Sequence, residues 1–158
     1  MIWNKPASPR RGYDPARFAK KDSMTEATAP ASAQTTLYAL MGEADGVRRL
    51  TRRFYELMDT LPEAAACRAI HPPSLAGSEQ KLFEYLSYWL GGPQDYVEKN
   101  GHPMMRRRHF AAPIGPQERD GWLLCFRQAF IETVHDPVVT ALVLPKVEAL
   151  AMHMQNRE

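Results

Sequence analysis

The chain is poor in the features that mark the commoner enzyme and metal-site classes. Its 158 residues include two cysteines, Cys67 and Cys125, in neither a CxxC nor a CxxCH arrangement. That excludes a disulfide framework, a zinc ribbon and a cofactor tethered through paired thioethers. No HExxH is present, so a helix-borne metalloprotease site is absent, and GxSxG, GxGxxG and phosphate-cradling loops are missing as well. No run approaches the roughly eighteen apolar residues of a membrane span, and the N-terminus lacks the apolar stretch of a secretory signal, so a cytoplasmic protein is the expectation. Charge of one sign is also scarce, the net value being +2. Residues 1–35 hold six Lys/Arg against three acids, which leaves the remainder slightly acidic. A nucleic-acid partner is therefore not indicated, and neither RRLTRRFY nor RRRH lies in a recognisable helix-turn-helix.

What the sequence has in quantity is helical periodicity cut by Pro and Gly. Residues 1–35 form the exception: with Pro6, Pro9, Pro15, Pro30 and the run TEATAPASAQTT they show no sustained apolar period, and a disordered extension is expected. Met24 offers an alternative start, which would make residues 1–23 an artefact of an upstream initiation site. A second region, 36–156, reads as one helical domain. In GVRRLTRRFYELMDTL, Val47, Leu50, Phe54, Leu57 and Met58 share a stripe opposite Arg48, Arg49, Arg52 and Arg53. PEAAACRAI reads as a short turn ended by His71-Pro72-Pro73. LAGSEQKLFEYLSYWL puts Ser78, Leu82, Leu86 and Trp89 on one face and closes at Gly91-Gly92-Pro93; QDYVEKN is a looser polar stretch. Pro116 opens a helix carrying Trp122, Phe126, Ala129 and Phe130, and Asp136-Pro137 caps and opens a last one, which Pro145 should kink or split. No segment alternates with period two. The prediction is an all-α chain of about five or six helices joined by short connectors.

Of the five histidines, two lie in GHPMMRRRHF at positions 101–110. With Pro103 as first helical residue, Met105 and His109 fall one turn apart on one face, flanked by Arg108. An imidazole beside a thioether and dense positive charge suits a flat apolar cofactor with an anionic edge. Haem has those properties: iron takes a neutral imidazole, the ring takes apolar walls, and the propionates take Arg, Lys or Tyr. Taken alone, the same residues also read as a solvated charged face and a packed core histidine. Tyr55, His71 and Trp122 each add an apolar body with one polar hydrogen, suited to a partially charged ligand in a dry pocket. Cys67 and His71, four apart, lack a second pair for a structural zinc.

The run YWLGGPQDYVEKNGHPMMRRRHFAAPIGPQERDGWLLCF resembles the central and C-terminal part of the group II truncated haemoglobins, and RRFYELMDTLPEAAACRAIHPPSL resembles their ligand-side helices. WLGGP, GHP, RRH and ERDGWL occur in the family's order and spacing, and the likeness covers about residues 37–155. It implies a two-over-two helical sandwich around haem b. By the same resemblance His109 matches the iron ligand, Arg108 a propionate partner, Trp122 the indole facing the bound ligand, and Tyr55, after Phe54, the distal tyrosine. His71 falls at the corner position that carries Tyr or His, Ser78 at the distal gate and Leu82 on the pocket wall, while Met105, Phe54 and Tyr96 complete the expected cofactor contacts. The chain departs from the pattern at Pro145 and in its long N-terminal extension, and Ser78 is small where longer globins place a histidine.

Two functions follow from that resemblance. One is reversible binding of dioxygen and other diatomic ligands for storage, transport or sensing, with Tyr55, His71 and Trp122 as donors. The other is redox chemistry, peroxide reduction or nitric oxide dioxygenation supplied by a reductase, with His71 moving protons because a histidine changes charge near neutral pH. Either suits a monomer or a homodimer.

Overall fold

The computed structural model describes residues 35–158. The reading of residues 1–35 as an extension, and of residues 1–23 as a start-site artefact, lies outside the described residues except for Thr35. Among the described residues every regular element is helical: α1 (Leu37–Leu40), α2 (Glu43–Thr60), a 3-10 turn (Pro62–Ala64), α3 (Ala65–Ala69), α4 (Ala76–Trp89), α5 (Asp95–Asn100), α6 (Met105–His109), α7 (Pro116–Thr133) and α8 (Pro137–Met154). The chain is all-α as expected, but two stretches read as irregular are short helices. The PEAAACRAI turn contains α3, and the polar QDYVEKN forms α5, which is held by the tertiary contacts of one buried residue, Tyr96.

The long helices obey their periodicity. On α2 the stripe of Val47, Leu50, Phe54, Leu57 and Met58 is buried, whereas Arg48, Arg49, Arg52 and Arg53 stay outside the core. The helix begins one turn before Gly46, because Gly42 supplies a left-handed cap at φ 86° and Glu43 and Asp45 favour the positive end of the dipole. It stops where Leu61 turns extended ahead of Pro62. α7 starts at Pro116 with the Glu118 carboxylate accepting from Gly115 N–H at 2.9 Å. α8 starts at Pro137, where Asp136 Oδ1 accepts from Val138 and Val139 N–H at 2.8 and 3.2 Å.

Pro145 does not split α8, which runs unbroken for 18 residues. Pro145 and Ala141 are both exposed, so the Ala141 carbonyl that a proline cannot bond lies on the solvent side of the helix. The expectation that no segment approaches a membrane span also needs correction. α8 has a mean hydropathy of 1.3 and is long and apolar enough to cross a bilayer by length and composition. Here it buries Val139, Val143 and Val147 in the core, and its Glu148 pairs with Arg127 of α7 at 2.8 Å.

The layers follow from these stripes. α2 packs on α4 within one pair and across α7, which pairs with α8, giving two helices over two. Phe54, Phe126, Phe130, Leu50, Val139 and Val143 fill the crossing. α3, α5 and α6 close the ends, and α6 is carried against α8.

Candidate functional site

A partly open cavity lies where α3, α6, α7 and α8 meet. Its wall takes His109 and Met105 from α6, Trp122 from α7, His71 from the corner after α3, and Leu150 and Met154 from α8. Cys67 and Ile70 line the α3 side. The surface is almost wholly apolar, which strengthens any polar contact made inside it.

Two imidazoles share the cavity and a common local geometry. His109 Nδ1 lies 2.7 Å from Met105 O, and His71 Nδ1 lies 2.8 Å from Cys67 O, both four residues back along the chain. A carbonyl can only accept, so each Nδ1 carries the hydrogen and each Nε2 of the neutral ring carries a lone pair. Burial disfavours the cation and lowers both pKa values to about 4, outweighing the hydrogen bond to the carbonyl in each case. Both rings are therefore neutral at pH 7. For His71 this differs from the expectation of a group that changes charge near neutrality.

α6 is shorter than its proline suggested. It starts at Met105, after Met104 in a left-handed conformation at φ 41°, so Pro103 lies outside it. The conformation is costly for a residue with a Cβ, and it aims α6 so that Met105 and His109 face inward. Tyr96, fully buried, holds the same segment from behind, its hydroxyl donating to Met105 Sδ at 3.8 Å.

The aromatic wall is built in depth. Trp122 stacks on Phe126 with centroids 5.1 Å apart and planes 8° off parallel, and it meets Phe54 at 5.1 Å, so two rings fix the indole plane. Tyr55 lies edge-on to Phe54 at 4.8 Å and to His71 at 6.0 Å. Its buried hydroxyl shares a hydrogen bond with Ser78, and burial raises its pKa well above the usual tyrosine value.

Comparison with known proteins assigns the family. The family model for bacterial-like globins matches residues 36–156. The chain belongs to the group II truncated haemoglobins. The globin is 62% identical to the group II 2-on-2 haemoglobin of the plant pathogen Agrobacterium tumefaciens, over 81% of this chain and 99% of that one, with a TM-score of 0.79. It is 36% identical to the cold-adapted truncated haemoglobin of the Antarctic bacterium Pseudoalteromonas haloplanktis TAC125, over 78% and 99% of the two chains, with a TM-score of 0.76. It is 32% identical over 120 residues to the group 2 truncated haemoglobin YjbI of Bacillus subtilis strain 168, covering 76% of this chain and 88% of that protein.

Membership implies haem-based binding of a small diatomic ligand, and the cavity of this globin has the chemistry for such a group. It offers a neutral imidazole with a lone pair on an almost wholly apolar wall, the donor and surroundings that such a group takes. Of the residues singled out from sequence, His109, Met105, Trp122 and His71 line the cavity. Phe54, Tyr55, Ser78, Leu82 and Tyr96 are buried outside its lining. Arg108 is half-buried, and its guanidinium donates to Asn100 O and, at 3.2 Å, to His102 O, anchoring the loop ahead of α6.

Several cavity residues escaped the sequence reading. Leu150 and Met154 are one turn apart on α8, and Val147, one turn before Leu150 and Ala151, continues the buried side. α8 is apolar on most of its sides, so no period in the sequence singles that stripe out as a cofactor wall. Arg119 and Glu118 are the charged members of the lining. Arg119 is oriented by Asp120 at 2.7 Å and by Gln155, and the ion pair raises its pKa. Arg106 is exposed, and from the surface it donates to the His153 and Gln155 carbonyls at the end of α8.

Proposed function

We propose that this globin is a cytoplasmic haem b protein that binds dioxygen and other diatomic ligands at an iron held by His109. The observation that carries the reading is the His109 side chain, which is 6% exposed at the wall of the apolar cavity with Nδ1 tied to Met105 O. That tie fixes the tautomer and the ring plane, leaving Nε2 as the ligand atom. When bound, haem supplies an iron centre that takes up small ligands and exchanges electrons.

The remaining roles belong to the protein. Met105, Leu150 and Met154 supply apolar contact to a flat ring. Trp122 has an indole N–H on a ring that Phe54 and Phe126 hold in place, so it can donate to a ligand without reorganising. Tyr55 and His71 stand edge to face and complete the ligand side, with Ser78 orienting the Tyr55 hydroxyl and Leu82 and Phe54 backing it. Arg108 and Arg119 are the cations for the anionic edge, and Tyr96 supports Met105. With a pKa of about 4, His71 holds no spare proton at neutral pH, which favours ligand binding over acid-base turnover. A relative of known structure is described as the truncated oxygen-avid haemoglobin of Bacillus subtilis, and it is 30% identical to this chain.

The test is His109→Ala. Purified wild-type protein should show a Soret band, and the variant should lose haem or hold it only weakly. Full haem retention with unchanged iron ligation would remove His109 from the role.

A further inference from the structure

His71 belongs to two spaces at once. It lines the inner cavity together with Cys67 and Ile70, and it also lines an open surface cleft formed by Asp59, Leu61, Ala65, Arg68 and Ala69. α3 is thus a partition only one helix thick: Cys67 faces inward, while Ala65 and Ala69, one turn apart and exposed, face the cleft. At the corner the partition is reduced to the imidazole of His71, which is 8% exposed.

The face of α4 is shut by comparison. Ser78 is 4% exposed, is joined to Tyr55 by a hydrogen bond, and borders neither the cavity nor the cleft. The corner is also built as a hinged piece. Arg68 donates to Pro72 O at 3.0 Å, to Pro73 O at 2.9 Å and to Asp59 at 2.8 Å, clasping the proline segment across the cleft floor. His71 lies between that clasp and its own bond to Cys67 O, within one turn of both.

We propose that diatomic ligands enter and leave the inner cavity through this cleft, past the imidazole of His71, with the Arg68 clasp setting how readily the portal opens. The proposal rests on the haem-ligand reading above. A swing of the ring breaks the Nδ1 bond to Cys67 O and joins the two spaces, and two prolines confine the backbone change to the corner.

A portal changes rates and leaves affinity alone, because it alters the path between two states without altering either. Ala65→Trp and Ala69→Trp fill the cleft from exposed positions outside the cavity. With carbon monoxide as probe and haem-loaded full-length protein, flash photolysis and ligand replacement should show association and dissociation slowed by one common factor, about threefold or more, at unchanged affinity. Arg68→Ala should speed both. Gly77→Trp, next to Ser78 where a Cβ meets nothing within 4 Å, should leave both rates as they are. Unaltered rates in the two cleft variants, a change in only one rate, or slowing by Gly77→Trp would overturn the portal while haem binding stands. A wild-type protein that takes up neither haem nor carbon monoxide would remove both readings together.

Discussion

Each buried histidine is held neutral by its surroundings, and this has a consequence for acid stability in the haem-free protein. An unfolded histidine titrates near 6.5, whereas His71 and His109 do so at about 4 in the fold. Between those values the unfolded chain binds more protons, so stability is complete above pH 6.5 and falls with pH down to about 4. Each ring contributes a slope of up to about 1.4 kcal/mol per pH unit. Urea unfolding between pH 6.5 and 5, above most carboxylate titration, should show that slope, and His109→Leu should remove half of it. A pH-independent midpoint over this window would mean that the rings are accessible to protons in the native state. Trp122 gives a second prediction at this scale. Trp122→Phe keeps an aromatic body between Phe54 and Phe126 but deletes the N–H, so stopped-flow measurement should show dioxygen dissociating about tenfold or more faster. An unaltered rate would show that the indole N–H does not reach the ligand.

Among the elements, α2 shows what periodicity conveys and what it hides. Its apolar stripe located the buried face residue by residue, but no period marks Gly46, which is buried inside the helix. A Cβ there would fall 1.6 Å from Met41 O, so the glycine is the site where the α1–α2 turn presses on the helix. Such a close approach is made by the fold and has no sequence period. Gly46→Ala should destabilise by about 3 kcal/mol, whereas Gly77→Ala, with nothing near its Cβ, should stabilise α4 by about 0.5 kcal/mol; opposite shifts of the urea midpoint are the readout. The site follows the same rule. His109 and Met105 were legible because one helical turn relates them, and Trp122 because it heads an apolar stripe. The α8 wall and Arg119 were not, because only the packing of α8 against α6 and α7 brings the α8 side chains and Arg119, on the first turn of α7, to one cavity. Pro145 shows the reverse case, a local signal overridden because its side of α8 faces water.

For the molecule as a whole, the described structure is closed by its last residues. Asn156 Nδ2 donates to Ala112 O at 2.9 Å and to His109 O at 3.4 Å, while its Oδ1 accepts from Ile114 N–H at 3.1 Å. The Asn156 and Arg157 N–H groups both donate to Ile114 O, and Arg106 reaches back to the end of α8. The segment carrying His109 is therefore fastened to the chain terminus at both of its ends, an arrangement between residues 42 to 49 positions apart that no local motif announces. Asn156→Ala leaves two carbonyls and an N–H without this partner. At about 1 to 2 kcal/mol for the lost bonds, roughly a tenfold faster release of haem to an apoglobin acceptor is expected, with the global urea midpoint falling by much less. The disparity between the two readouts is the informative part. A loss of global stability equal to the effect on haem release would place Asn156 in the cooperative core, whereas selective haem loss marks the C-terminus as the strap that keeps the His109 helix in position.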